Sequence, residues 1–165
     1  MTLDTMVAEL LKDPRRKFTQ VEMKFFSMWW KNQSEETKAS VRTLAKEGRL
    51  EFVNAGWSMH DEACTHYEDQ LNNMIIGHDF LLKEVGVKPR VGWHIDPFGH
   101  SNTNARLFAE MGFDGIFFAR ADFQDAEKRV NESSTEWLWR PSFDHVGKKG
   151  QLLAHMLIDN TYYPP

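Results

Sequence analysis

The sequence predicts an α/β fold in which βα units alternate along the chain and build a mainly parallel sheet. Three observations predict it. Apolar residues recur at helical spacing in some segments and as short continuous runs in others. The two kinds of segment alternate along the 165 residues, joined by loops of ordinary length. Gly48, Gly86 and Gly112 each stand just past a helical stripe, where a left-handed cap closes a helix. Such alternation implies βαβ units with right-handed crossovers.

Taken in order, Leu3, Met6, Val7, Leu10 and Leu11 fall at helical spacing and stop before Asp13 and Pro14. Residues 18–22 read as a short strand, and Phe25, Phe26, Met28, Trp29 and Trp30 as a buried helix. A second helix runs from near Ser34 to Gly48, with Val41, Leu44 and Ala45 on its inner face. Residues 50–54 form the next strand. Leu71, Met74, Ile75, His78, Leu81, Leu82 and Val85 make a long amphipathic stripe ahead of Gly86. Residues 90–95 are a strand, followed by a loop and a helix through Leu107 to Met111. Residues 114–119 are a strand, and 135–140 and 152–158 are further candidates. No internal repeat, low-complexity tract or linker interrupts them, so residues 1–165 read as a single unit.

Composition narrows the function. Hydrophobic content of 41% and charged content of 27% suit a folded soluble domain. A net charge of −4, with basic residues such as Arg15, Arg16 and Lys17 set beside acidic ones, argues against a nucleic-acid partner. No apolar run reaches the ~20 residues of a membrane span, and the first residues lack the basic and apolar regions of a signal peptide. The single cysteine, Cys64, excludes an internal disulfide and reads as a small packed residue. Glycosylation triplets occur at Asn32-Gln-Ser34 and Asn131-Glu-Ser133. Six tryptophans are many for this length, and they suit an aromatic core with some rings left over for sugar stacking or for a partner surface.

In parallel α/β architectures, functional side chains collect just past the carboxyl ends of strands. Here those ends offer Glu22; then Trp57, His60, Asp61 and Glu62; then Asp96, Phe98 and His100; then Arg120 and Asp122. Acids, histidines and an arginine leave the sheet at one rim, which points to an enzyme site. Pro97 and Gly99 shape a tight turn that fixes Asp96 at a strand tip, directly before a helix starting near Thr103. A fixed carboxylate can ligate a hard cation or attack an electrophilic carbon. On local sequence alone, a turn or helix-capping aspartate explains the residue equally well.

The motifs then resemble a known family. Gly56-Trp-Ser-Met-His-Asp-Glu-Ala63, Thr65-His-Tyr67, Trp93-His-Ile-Asp-Pro-Phe-Gly-His-Ser101 and Met111-Gly-Phe-Asp-Gly-Ile-Phe-Phe-Ala-Arg120 are similar to the class II α-mannosidases, glycoside hydrolase family 38. Residues 18–30 and Asn160-Thr-Tyr-Tyr-Pro-Pro165 extend the likeness over nearly the whole chain, closest to the lysosomal branch. The resemblance implies part of an irregular (β/α) barrel catalytic domain that removes terminal α-linked mannose from glycans with retention. It implies Asp96 as nucleophile and zinc ligand, Phe98 as an aromatic of the sugar subsite, and Arg120 beside the nucleophile, where it would favour the ionised aspartate. It also implies a lysosomal or secretory location.

The departures limit what this chain does alone. The family's early His-x-Asp zinc pair has no counterpart in residues 1–17, and a further histidine ligand and the acid/base aspartate lie past Pro165. One zinc ligand and one catalytic carboxylate remain, so a partial domain is expected, with mannose-containing glycans and the rest of the parent polypeptide as its partners. His94 shares a strand face with Asp96, but packing or a hydrogen bond explains it better than metal ligation. Asp61 and Glu62 either organise the rim or cap a helix, and His60 and His66 carry supporting duties. The alternatives are a weak, non-catalytic carbohydrate-binding fragment, or a metal-dependent carbohydrate deacetylase, which would need closely spaced ligand pairs that are absent. Exposed sheet edges would also favour self-association.

Overall fold

Helix α1 (Thr2–Lys12) buries Met6, Val7 and Leu10, the apolar residues one helical turn apart, and ends before Pro14, whose ring blocks the preceding turn. The computed structural model describes residues 2–142 and 150–157. Its contacts group into two units, one made of the residues up to Met59 with Leu71–Pro89, the other of His60–Gln70 with the residues from Arg90 onward.

In the first unit, β1 (Phe18–Gln20) pairs in parallel with β2 (Leu50–Phe52), Phe18 opposite Leu50. Between them run α2 (Met23–Trp30) and α3 (Glu35–Lys46). Ser34 caps α3 by accepting from the Thr37 N–H, and Gly48 closes it with φ +65°, where a Cβ would be strained. Helix α4 (Tyr67–Glu84) sends Met74 and Leu81 inward. Phe26 is wholly buried among Trp29, Trp30, Phe52 and Phe80, ring centres 5.2–6.3 Å away. Of the six tryptophans Trp30 is buried and the other five are half-buried, so the aromatic core is smaller than the composition suggested.

Two details differ from the sequence reading. Phe25 and Met28 of α2 are exposed, and so are Ile75 and Leu82 of α4. Helix α2 is eight residues long and turns Met23, Phe26, Ser27 and Trp30 inward, so the residues between them fall on the opposite face. Apolarity alone did not distinguish the two faces.

The second unit holds β3 (Val91–His94), α5 (Asn102–Glu110), β4 (Gly115–Phe118), α6 (Phe123–Asn131), β5 (Glu136–Trp139) and β6 (Leu152–Met156). The strand order is β3-β4-β6-β5. β3 with β4, and β4 with β6, run parallel, whereas β5 runs antiparallel at the edge. The expectation of an α/β fold with a mainly parallel sheet is therefore met. Helix α6 was not expected from the sequence: Phe123, Ala126 and Val130 fall at helical spacing, but the stripe is short and none of its residues is buried. Asp122 starts it by accepting from the Gln124 and Asp125 N–H groups. Among the described residues, no helix is long and apolar enough to cross a membrane. Ile158 and the motif of residues 160–165 lie outside the described residues.

Candidate active site

Register places the central pair. His94 of β3 stands opposite Phe118 of β4, so Asp96 and Arg120, each two residues further on, leave the same end of adjacent parallel strands. Arg120 donates from Nε and Nη2 to Asp96 Oδ1, both at 2.7 Å. Its guanidinium also lies 4.3 Å from the centre of the Phe98 ring, a cation–π distance. Phe98 is 68% exposed, and the Asp96 side chain is 57% exposed. Pro97 is buried, and Gly99 takes φ +116°, a conformation that favours glycine at this turn. The three residues singled out for catalysis and substrate binding thus meet in one exposed cluster: an anchored carboxylate, an arginine and an aromatic face.

A buried polar network adjoins them. The Glu62 side chain is 4% exposed. Its Oε1 accepts from Asn104 Nδ2 at 2.9 Å and faces His94 Nδ1 at 3.1 Å; its Oε2 accepts from the Ser101 N–H. His100 Nδ1 lies 3.6 Å from Oε1, while His100 Nε2 donates to the Arg120 carbonyl at 2.9 Å. His60 Nε2 and Asn104 Oδ1 are 2.9 Å apart, and the His60 and His94 rings meet edge to face at 4.7 Å. Helix α5 joins the network at its start, where Ser101 caps it through the Asn104 N–H.

Electrostatics follow from this crowding. Burial alone would raise the Glu62 pKa, but the adjacent His100 and His94 imidazoles and the Ser101 N–H outweigh it and hold the carboxyl at about 2, against an ordinary 4.5. Burial and then the neighbouring His94 push the His60 pKa down, against the Asn104 hydrogen bond. Both shifts are depressions, so the stability they carry is present at neutral pH and lost in acid. For Glu62 the loss begins below the ordinary value of 4.5 and continues towards about 2. Protection factors for the α5 amides in hydrogen exchange are therefore expected to fall across that window. In Glu62→Gln they should be lower already at neutral pH and fall less steeply in acid. Identical profiles for the two proteins would contradict this coupling.

The donor set bears on the zinc that the motifs imply. Among the described residues, Glu62, His94 and His100 bring potential ligand atoms within 4.8 Å of one another, and Asp96 is not in that group. Both Glu62 oxygens already accept from protein donors, so a cation would have to displace them. His94 Nε2 and His100 Nδ1 are buried without a hydrogen-bond partner, yet His100 is anchored through its other nitrogen. The arrangement fits a hydrogen-bonded network better than a metal centre. Asp96 is a single candidate ligand, short of the roughly three protein ligands a catalytic zinc needs.

The remaining rim residues do other work. Glu22 Oε1 accepts from the Met59 N–H, and Trp57 packs on Phe80 with Lys24 over its ring. Asp61 shapes a turn by accepting from the Ala63 N–H, and Asp122 is a helix cap. His66 is exposed against Tyr67. Cys64 is exposed rather than packed, because the 61–65 turn holds it outside the core. His94 matches the expectation of packing plus a hydrogen bond. Glu62 as the hub of the network was not identified, because its partners stand 32 to 42 residues away in sequence.

Comparison with known proteins identifies the family. The description "Glycosyl hydrolases family 38 N-terminal domain" matches residues 1–165. The chain is 48% identical over 165 residues to the lysosomal alpha-mannosidase of Cavia porcellus and 49% identical over 164 residues to the alpha-mannosidase of Canavalia ensiformis. Each alignment covers 99% of this chain and 16% of the relative, so the chain spans about one-sixth of their length. Among solved structures, an alpha-mannosidase from Enterococcus faecalis V583 superposes with a TM-score of 0.69 at 17% identity, over 93% of this chain and 16% of that one. A 4-alpha-glucanotransferase from Thermococcus litoralis gives 0.70 at 17% identity, over 92% and 22%. At such identities the likeness concerns the fold alone. The family match across the whole chain is decisive: this chain belongs to the glycosyl hydrolases family 38 N-terminal domain family.

Proposed function

We propose that this chain is the nucleophile-bearing part of a retaining α-mannosidase acting on terminal α-linked mannose of glycans. The observation that carries the reading is Asp96, exposed at a strand end, held by Arg120 and flanked by Phe98. In the complete enzyme the Asp96 carboxylate attacks the anomeric carbon, the bond to the leaving oxygen breaks, and a second carboxylic acid, from outside this chain, protonates that oxygen. Water then displaces Asp96, with the same acid now serving as base. Arg120 aims the carboxylate, and Phe98 offers an apolar face to the sugar. Asp96 would also contribute one ligand to zinc, which when bound would hold sugar hydroxyls and stabilise developing charge.

Family membership supports the reaction class, and the lysosomal relatives support a lysosomal or secretory location, with which the exposed Asn32 and Asn131 of the two glycosylation triplets agree. The rest of the polypeptide is the partner we assign to the exposed Phe25, Met28, Ile75 and Ile76; without it these faces favour self-association. Hydrolysis of an aryl α-mannoside by the complete enzyme, followed by NMR, should release α-mannose first, whereas β-mannose first would contradict retention. The isolated chain, assayed in parallel, should bind no stoichiometric zinc and turn nothing over.

A further inference from the structure

Glu62 lies in neither the exposed cluster nor a hydrophobic core, yet a buried carboxylate is retained only where its charge is well compensated. Its partners show what that charge organises. It faces His94 Nδ1 at one end of the loop bearing Asp96 and Phe98, and accepts from the Ser101 N–H at the other. His100, also beside Glu62, donates to the carbonyl of Arg120 and so ties down the segment that supplies the clamp on Asp96. Asn104 connects the same carboxylate to the first turn of α5. One side chain therefore holds both ends of the Asp96 loop and stands 3.6 Å from His100, which holds the backbone of Arg120. A neutral amide in its place could not serve every donor, because one of its two polar atoms is itself a donor.

We propose that Glu62 is a positioning residue for the reaction, acting through His100 and Ser101 to fix the direction of the Asp96–Arg120 pair. This rests on the reading of Asp96 as the nucleophile. Misplacing a reacting group by about 1 Å costs on the order of 10²-fold in rate. In the complete enzyme, Glu62→Gln is expected to lower kcat on an aryl α-mannoside about 10- to 100-fold, with KM changed less than about threefold. His100→Gln should act in the same direction. The double variant should be little worse than the more damaged single one, since residues of one network do not contribute additively.

The assay counts active sites by the initial burst of aglycone, so that kcat is expressed per folded site. An unchanged kcat per site, with only the number of sites reduced, would mean that Glu62 merely supports the fold and would overturn the proposal. Multiplicative losses in the double variant would overturn it too. Asp96→Ala is measured beside them. If that variant keeps its activity, the nucleophile reading falls and the positioning role falls with it. If it is inactive while Glu62→Gln matches wild type, only the positioning role is lost.

Discussion

Replacing Asp96 with alanine in the complete enzyme is expected to reduce turnover of an aryl α-mannoside by about 10⁴-fold or more, the scale seen when a covalent nucleophile or its essential partner is removed. The fold should survive. Asp96 lies outside the apolar core, its side chain is 57% exposed, and its ion-pair partner Arg120 is 34% exposed. An exposed pair of this kind contributes about 0–1 kcal/mol to stability, far less than the roughly 5 kcal/mol of barrier that a 10⁴-fold loss represents. The two effects therefore separate cleanly: kinetics should collapse while the thermal unfolding profile barely moves. Turnover close to wild type would remove Asp96 from the chemistry. Loss of folded protein would instead assign it a structural task that its exposure does not suggest.

The second large effect lies in the first unit and concerns stability. Gly77→Ala is expected to destabilise the protein by about 3 kcal/mol or more, the upper range for overpacking. A Cβ at Gly77 would lie 2.0 Å from the Ala55 carbonyl oxygen, 2.7 Å from the Gly56 carbonyl carbon and 2.8 Å from the Trp57 nitrogen. All are backbone atoms, and Asn54 and Ala55 already hold positive φ values of 56° and 55°, so this turn has little freedom to retreat. Alanine's better helix propensity would return only about 1 kcal/mol. Gly86→Ala is the control: a Cβ there meets nothing within 4 Å, and its φ of +86° leaves only a conformational cost, about 1–2 kcal/mol. Denaturant unfolding of both variants measures the difference. Equal stability at Gly77 would mean that α4 does not approach the turn so closely.

Much of this was legible in the sequence because its signals are local. Pro14 ends α1, and Ser34 and Gly48 bound α3; each acts through its own backbone and needs no knowledge of the fold. The Asp96 turn was legible for the same reason, since Pro97 and Gly99 shape it, and parallel strands of matched length bring Arg120 beside it. What stayed hidden depends on contacts between distant residues. Phe25 and Phe26 are identical in kind, yet one is 64% exposed and the other fully buried. Helix α6 starts on the Asp122 cap and carries the Arg129–Asp125 ion pair, and its short stripe of Phe123, Ala126 and Val130 buries nothing. Glu62 stood among the rim residues, but nothing near it in sequence distinguishes a buried hub from a helix cap. Glu62 lies in the turn before α4, His94 ends β3 and His100 lies in the loop before α5, so the fold and no shared sequence position brings them together.

The most direct test of the account is to label the nucleophile itself. The complete enzyme is incubated with a mannoside whose glycosyl-enzyme forms faster than it hydrolyses, then digested and mapped by mass spectrometry. The mass of one mannosyl group is expected on the peptide that contains Asp96, with fragmentation placing it on that residue. A stable adduct on any other carboxylate, or retention of configuration with Asp96 left unlabelled, would contradict the assignment of this chain as the bearer of the nucleophile.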